Sequence, residues 1–346
     1  AEIKQAYYLL GKYYTRHSDN NSIAIMNQKE KIHVLIPIRY PVGGIRTYLK
    51  YTYGKLDKER YALTVVAPSK EWLSRIHEDF HDHHIEVICS IQEDRSSSLF
   101  HAILSALLHK KIDIIHSQGH TAGILSILAN QMFSTPHIIT LHRTFGNDQL
   151  SRKFWGQYAG LKRFLIQFLL SRADIIQSVS NDAQQNLLEY LPGMIRYQGK
   201  MKVILNGIDI DGFSMTSESY EPPFNKEDGI FYLGFLGRYM PEKGFSHLID
   251  AIDILVKESG VRNMKVVSVG GFGGFIREYK KEISARGLSD YFLFLGFFNN
   301  ISPILGMVDA LVIPSLSEAC PLVPMEALVS GCPVIAYSCI GLREVL

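Results

Sequence analysis

Residues 31–49 read KIHVLIPIRYPVGGIRTYL: a short apolar run, a turn with two adjacent glycines, and the start of a helical pattern. Ile45, Tyr48, Leu49 and Thr52 recur at i, i+3, i+4 and i+7, one face of an α-helix. The same grammar repeats downstream. The β-rich runs are ALTVVAP (62–68), IEVICSI (85–91), IDIIHS (112–117), HIITLH (137–142), DIIQSVS (174–180) and KVILNG (202–207), with helical segments between most of them. Apolar strands that alternate with helices predict a parallel sheet covered on both faces. Residues 31–207 are therefore read as a Rossmann-like α/β domain, preceded by an N-terminal extension, residues 1–30.

The alternation then breaks. The stretch MTSESYEPPFNKEDG (215–229) is polar, contains Pro-Pro and lacks periodicity. Residues 208–228 are read as a linker. A second series follows: FYLGFLG (231–237), MKVVSVG (264–270), YFLFLG (291–296), ALVIPS (310–315) and CPVIAY (332–337). Residues 229–346 are thus a second doubly wound α/β domain. Ligands of such sheets sit beyond the carboxyl ends of the strands, so the expected site is the cleft between the two domains.

The length of 346 residues and hydrophobic content of 47% suffice for two buried cores. Lys and Arg number 36 against 34 Asp and Glu, which gives no global basic field for nucleic acid. Cys89, Cys320, Cys332 and Cys339 form no CxxC and no repeated spacing, which argues against a disulfide framework or a zinc site and fits a reducing cytoplasm. No run approaches the ~18 apolar residues of a spanning helix, and the first residues lack the apolar core of a signal peptide.

Three segments carry candidate chemistry. In GFLGRYMPEKG (234–244), Arg238 and Lys243 lie on a strand-to-helix loop bounded by Gly237 and Gly244. Two cations so placed suit a diphosphate: Arg grips oxygens bidentately, Lys acts as a point charge. The competing reading is a solvated basic loop. In PSLSEACPLVPMEALVSGCPVI (314–335), Glu318 sits in a loop and Glu326 in a helix expected to start near Pro321–Val323. The backbone N–H groups of Leu322 and Val323 could bind phosphate there. A carboxylate so close to a buried turn needs a partner or a ligand; the alternative is chance surface charge. Gly43 and Gly44, after the first strand, form a generic phosphate-approach turn, weak as a lone signal.

Other features are less decisive. His116, His120 and His142 follow strand ends without a carboxylate or Cys to complete a metal set. They are read as facing the cleft, with a structural role open for His116. Asp209-Ile210-Asp211 resembles a DxD metal motif but follows Asn206-Gly207, and is read as turn chemistry. GGFGG (270–274) fails the dinucleotide fingerprint, because Ile276 replaces its last glycine. The segment FWGQYAGLKRFLIQFLLSR (154–172) suits either a membrane surface or a buried helix; the buried reading is favoured.

Taken together, GGIRTYL, DIIHSQGH, TLHRT, ADIIQSVS, VILNGID, LGRYMPEKG and EACPLVPMEALVSGCPVIA resemble glycosyltransferase family 4, the retaining GT-B group, over residues 31–346. The last two motifs are the specific ones. The resemblance implies a GT-B fold, two Rossmann-like domains facing across a cleft. It implies hexosyl transfer, without metal or cofactor, from a nucleotide-diphosphate sugar to a glycan or lipid-linked acceptor. Arg238 and Lys243 match the pair that holds the donor diphosphate. Glu318 matches the Glu near the sugar hydroxyls, and Glu326 the Glu that binds the ribose. Gly44 matches the glycine whose amide approaches the distal phosphate, His142 the active-site His near the transferred sugar, and the backbone at Phe297 the holder of the base. The family's use in surface polysaccharide assembly implies a bacterial cytoplasm with peripheral contact at the inner membrane. The loop EACP departs from the Gly and aromatic residue often found after the first Glu. The chain also stops at GLREVL, where relatives continue, so a C-terminal truncation is expected. A GT-B epimerase and a truncated, non-enzymatic binding protein stay open as alternatives.

Overall fold

The computed structural model describes residues 31–41, 43–68, 73–80, 85–89, 96–146, 159–210, 223–271 and 274–346. The first series of runs folds as β1 (Ile32–Pro37), α1 (Gly44–Tyr53), β2 (Tyr61–Ala67), α2 (Leu73–Asp79), β3 (Ile85–Cys89), α3 (Ser96–His109), β4 (Ile114–Gln118) and α4 (His120–Ala129). It continues through β5 (His137–Leu141), α5 (Ala159–Leu170), β6 (Ile175–Ser178), α6 (Asn181–Tyr190) and β7 (Met201–Val203). These strands form a seven-stranded sheet ordered β3-β2-β1-β4-β5-β6-β7. The second series gives β8 (Phe231–Leu236), α7 (Phe245–Lys257), β9 (Met264–Val269), α8 (Ile276–Ala285), β10 (Phe292–Gly296), α9 (Ser302–Leu305), β11 (Ala310–Ile313), α10 (Val323–Val329) and β12 (Val334–Ala336). Its sheet is ordered β10-β9-β8-β11-β12. Neighbouring strands are parallel in both sheets.

The apolar runs are continuous because both faces of each sheet are covered. Val34 and Ile36 of β1 pack with Tyr48 and Leu49 of α1, while Leu35 faces Leu99 and Ile103 of α3. In the second sheet Leu233 and Phe235 meet Phe245 and Ile249 of α7, and Tyr232 turns to Ile304 and Leu311. Each such side chain, once fully buried, contributes roughly 1.5–3 kcal/mol.

The order of strands decides where a ligand can enter. The strand order reverses between β1 and β4 in the first sheet and between β8 and β11 in the second. A crevice opens beyond the carboxyl ends at such a switch point. Gly43 follows β1. Arg238 and Lys243 follow β8, and Glu318 and Glu326 follow β11. These five residues therefore lie at the two switch points, while His142 follows β5 and Phe297 follows β10.

The domains touch through loops at these same carboxyl ends. Thr144, after β5, hydrogen-bonds Ser317, after β11, at 2.8 Å. Asn206 Nδ2 donates to the Cys320 carbonyl at 2.8 Å, and the Ser180 hydroxyl donates to the Ala319 carbonyl. The last residues seal the edge. Arg343 grips Asp182 with two bonds of 2.7 Å. Glu344 accepts from the backbone N–H groups of Asn181 and Asp182, the first turn of α6. A carboxylate at a helix N-terminus meets unpaired N–H groups and the positive end of the helix dipole.

One reading from sequence is corrected. Residues 154–158 lie outside the described residues, but α5 shows that the rest of 154–172 is not a buried helix. Leu161, Phe164, Leu165 and Phe168 are exposed, Phe164 at 61%, and Leu170 is the buried residue of α5. The apolar stripe exists at helical spacing, but it points outward.

Gly244 fixes the loop that carries Lys243. It adopts φ +67, and a Cβ there would stand 1.8 Å from the Pro314 carbonyl oxygen. No side chain fits between these two backbones, so the β8 loop lies directly against the end of β11. Gly244→Ala is expected to lower stability by about 3 kcal/mol or more, read from urea unfolding. A loss under about 1 kcal/mol would contradict this close approach.

Candidate functional site

The loop after β8 is anchored by a core residue. Tyr239 is buried among Phe235, Phe245 and Phe294, and its hydroxyl pairs with Ser268 at 2.8 Å. Its neighbour Arg238 is thereby thrust outward; it is exposed, and its side chain has no partner among the described residues. Pro241–Lys243 then form one 3-10 turn that Gly244 ends in the left-handed region. This turn aims Lys243 at the next loop, where its Nζ lies 2.6 Å from Glu318 Oε1. Lys243 and Glu318 are both largely shielded from solvent.

Glu326 is buried, 4% exposed, in α10. Among the described residues its side-chain partner comes from the other domain: the Tyr51 hydroxyl on α1 donates to Oε1 at 3.1 Å. Burial pushes the Glu326 carboxyl up to about 7, against a smaller lowering by the Tyr51 hydrogen bond. Burial and the neighbouring Glu326 charge raise the Tyr51 hydroxyl in turn. Helix α10 starts at Val323, with Leu322 at its N-cap and Pro324 in its first turn, so Pro321 stands outside the helix. The Leu322 side chain packs into the first domain's core beside Tyr48 and Ile38, which leaves only its backbone for a ligand.

On the first domain, Gly43 at φ +57 precedes α1, and no side chain caps the first turn of that helix. A Cβ at Gly44 would meet nothing within 4 Å, so a phosphate could approach its backbone. His142 stands just past β5, partly exposed, edge-on to Tyr48 with ring centres 4.6 Å apart. Its Nε2 lies 2.8 Å from Gln118 Oε1. Burial drives its pKa down to about 3, so the ring is neutral at pH 7. His116 lies inside β4 rather than beyond it, buried between Tyr53 and Thr140 at 2.7 Å each. Its role is structural. Phe297, 54% exposed, follows β10 on the far side of the second switch point.

The arrangement joins Lys243 to Glu318 directly and ties the His142 loop to the Glu318 loop through Thr144 and Ser317. Among the described residues, no hydrogen bond or ion pair connects Arg238, Phe297 or Gly43 to the others. Asp209 pairs with Lys55 at 2.9 Å, and Asp211 lies outside the described residues. Among the described residues, no three His, Cys, Asp or Glu side chains converge as a metal site. A separate hollow of about 410 Å³, lined by Phe224, Tyr232, Lys265 and Asp290, lies at the amino ends of β8–β10, opposite the switch point.

Sequence reasoning missed Tyr51, Gln118 and the Asp182–Arg343–Glu344 set. Tyr51 and Glu326 are 275 positions apart, so no local spacing could have paired them.

Two family profiles cover most of the chain. "Glycosyltransferase Family 4" matches residues 42–211, and "Glycosyl transferases group 1" matches residues 217–346. The chain belongs to glycosyltransferase family 4. An uncharacterised glycosyltransferase of Methanocaldococcus jannaschii is 30% identical over 68% of this chain and 58% of its own length. The Escherichia coli UDP-Gal:alpha-D-GlcNAc-diphosphoundecaprenol alpha-1,3-galactosyltransferase is 24% identical over 69% of this chain and 61% of its own. The chain therefore spans about three fifths of these relatives. Among solved structures, Anabaena HepE in complex with UDP-glucose superposes with a TM-score of 0.67 at 20% identity, over 91% of this chain and 82% of that one. That likeness establishes the GT-B fold for this family 4 chain.

Glu326 makes a testable contribution to stability. Its folded pKa lies above the ordinary carboxyl value, so the native state binds the proton more tightly. The stability this proton supplies is complete below about 4.5 and is lost as pH rises to about 7. Glu326→Gln should match the native protein near pH 4.5 and exceed it by roughly 3 kcal/mol above pH 7, from paired urea melts. A pH-independent difference would contradict the raised value.

Proposed function

We propose that this chain transfers a hexose, with retention, from a nucleotide-diphosphate sugar to a glycan or lipid-linked acceptor. The observation that carries the reading is Lys243 held against Glu318 at the second switch point, with Arg238 exposed on the same loop as Lys243. In this reading the donor diphosphate lies across Arg238 and Lys243. The backbone N–H groups at Gly44, Leu322 and Val323 approach its phosphates, and Glu326 accepts from the ribose hydroxyls in place of the Tyr51 hydroxyl. Glu318 and His142 face the sugar, and the backbone at Phe297 holds the base.

The chemistry follows from the charges. Cleavage of the bond between the anomeric carbon and the phosphate oxygen leaves negative charge on the diphosphate. Fixed cations stabilise that charge where it develops. The acceptor oxygen bonds to the anomeric carbon, and its proton passes to a phosphate oxygen of the leaving group. Arg238 and Lys243 do the neutralising, so no metal or cofactor is invoked, and no second carboxylate is needed as a general base.

Surface polysaccharide assembly in a bacterial cytoplasm is the family-level setting we favour. Helix α5 supports peripheral contact with the inner membrane. Its outward stripe, Leu161, Phe164, Leu165 and Phe168, is flanked by Lys162, Arg163 and Arg172, with no acidic residue from 159 to 173. No described helix is long and apolar enough to cross a membrane. Leu161→Ser together with Phe164→Ser should abolish sedimentation with anionic vesicles; unchanged sedimentation would refute the contact.

The donor reading is tested by thermal shift with UDP-, GDP- and ADP-sugars. One class should stabilise the chain selectively, with or without chelator. Arg238→Ala and Lys243→Ala should each weaken that binding roughly 10- to 150-fold, the loss of one charge-assisted bond. Undiminished affinity in both variants would overturn the reading. Conversion of the donor with no acceptor present would point instead to an epimerase.

A further inference from the structure

Gln118 ends β4, 2% exposed, and its amide is oriented by its neighbours. Its Nε2 lies 3.1 Å from the His116 carbonyl oxygen, which can only accept. The nitrogen is therefore at that end, and Oε1 is at the end facing His142. Oε1 stands 2.8 Å from His142 Nε2 and can itself only accept. The hydrogen between them must belong to His142 Nε2. The ring is neutral, so it carries one hydrogen, and Nδ1 holds a lone pair. Nδ1 has no partner among the described residues, and His142 keeps some exposed surface.

The rest of the network locks this direction. Gln118 Nε2 also donates to the Tyr53 hydroxyl at 2.9 Å. Tyr53 gives its proton to His116 Nδ1 at 2.7 Å, so His116 Nε2 carries the hydrogen donated to Thr140 Oγ1 at 2.7 Å. Thr140 donates onward to Gln177 Oε1 at 3.1 Å. Turning the Gln118 amide round would set its oxygen against the His116 carbonyl oxygen, a repulsive pair in a buried site.

We propose that Gln118 is a positioning residue that holds His142 in its Nε2–H tautomer, so that Nδ1 accepts a hydrogen bond from a hydroxyl of the transferred sugar. The sugar half rests on the donor reading above; the tautomer half rests on the network alone. The consequence is selectivity: a donor with a hydroxyl at that position is matched, and one lacking it leaves Nδ1 unpaired.

The test is long-range proton–nitrogen NMR of the full chain labelled with 15N-histidine, with the His142 ring assigned by its disappearance in His142→Ala. The native spectrum should show His142 as the Nε2–H form. An Nδ1–H form overturns the proposal without any variant. Gln118→Met, which removes the acceptor, should release His142 into a mixture of both forms. Thr140→Val, which cuts the network beyond His116, should leave the native form intact. A pure Nε2–H pattern in Gln118→Met would show that Gln118 does not set it. Titration with UDP-, GDP- and ADP-glucose and with the matching diphosphates separates the two halves. Nδ1 should shift with a bound sugar nucleotide and not with its diphosphate. Binding without that shift overturns the sugar half. Binding of none of these probes overturns the donor reading and the sugar half with it, while the unliganded spectrum still decides the tautomer.

Discussion

The 2.6 Å contact between Lys243 and Glu318 is the interaction on which the site depends. It joins the loops after β8 and β11, the two strands that flank the second switch point. A lysine shielded from water needs an anion nearby. Without a ligand, Glu318 supplies it. A diphosphate arriving beside Arg238 would replace one anionic partner with another, so much of the cost of desolvating the ammonium has already been met in the folded chain. Such preorganisation is what makes fixed charges effective toward a leaving group. The contact is possible only because Gly244 lets the β8 loop rest against the Pro314 carbonyl.

The same segment, residues 317–344, also holds the domains together. Ser317 shares a hydrogen bond with the first domain, Ala319 and Cys320 accept bonds from it, Leu322 enters its core, and Arg343 and Glu344 clamp the start of α6. Glu318 and Glu326 sit within this run. Movement of one domain against the other would therefore move the two carboxylates as well. The Tyr51 bond to Glu326 makes the link explicit, since a carboxylate read as the ribose ligand is already engaged by the opposite domain. Proton, tyrosine and ribose would compete for one buried group.

Much of this was legible in the sequence, for a physical reason. Strands of a parallel sheet are covered on both faces, so each reads as an unbroken apolar run; the repeated alternation with helices then fixes the architecture. Loop residues such as Arg238, Lys243 and Glu318 were legible because they stand at strand ends beside Gly and Pro. Three things were not. The pairing of Tyr51 with Glu326 spans both domains and leaves no local trace. The stripe Leu161, Phe164, Leu165 and Phe168 has the same spacing whether it faces a core or solvent, so periodicity could not say which. Strand β4 buries His116, Ser117 and Gln118, three polar residues whose partners lie on α1, α4 and β5 as well as in the loop beyond β5. Only the folded network shows why they are tolerated inside.

The most direct test of the central claim is a crystal structure of this chain with the nucleoside diphosphate that stabilises it. The account places the phosphates within hydrogen-bond distance of Arg238 and Lys243, with the Lys243–Glu318 contact lengthened and the ribose hydroxyls on Glu326. A nucleotide bound elsewhere, with Lys243 still 2.6 Å from Glu318, would contradict it.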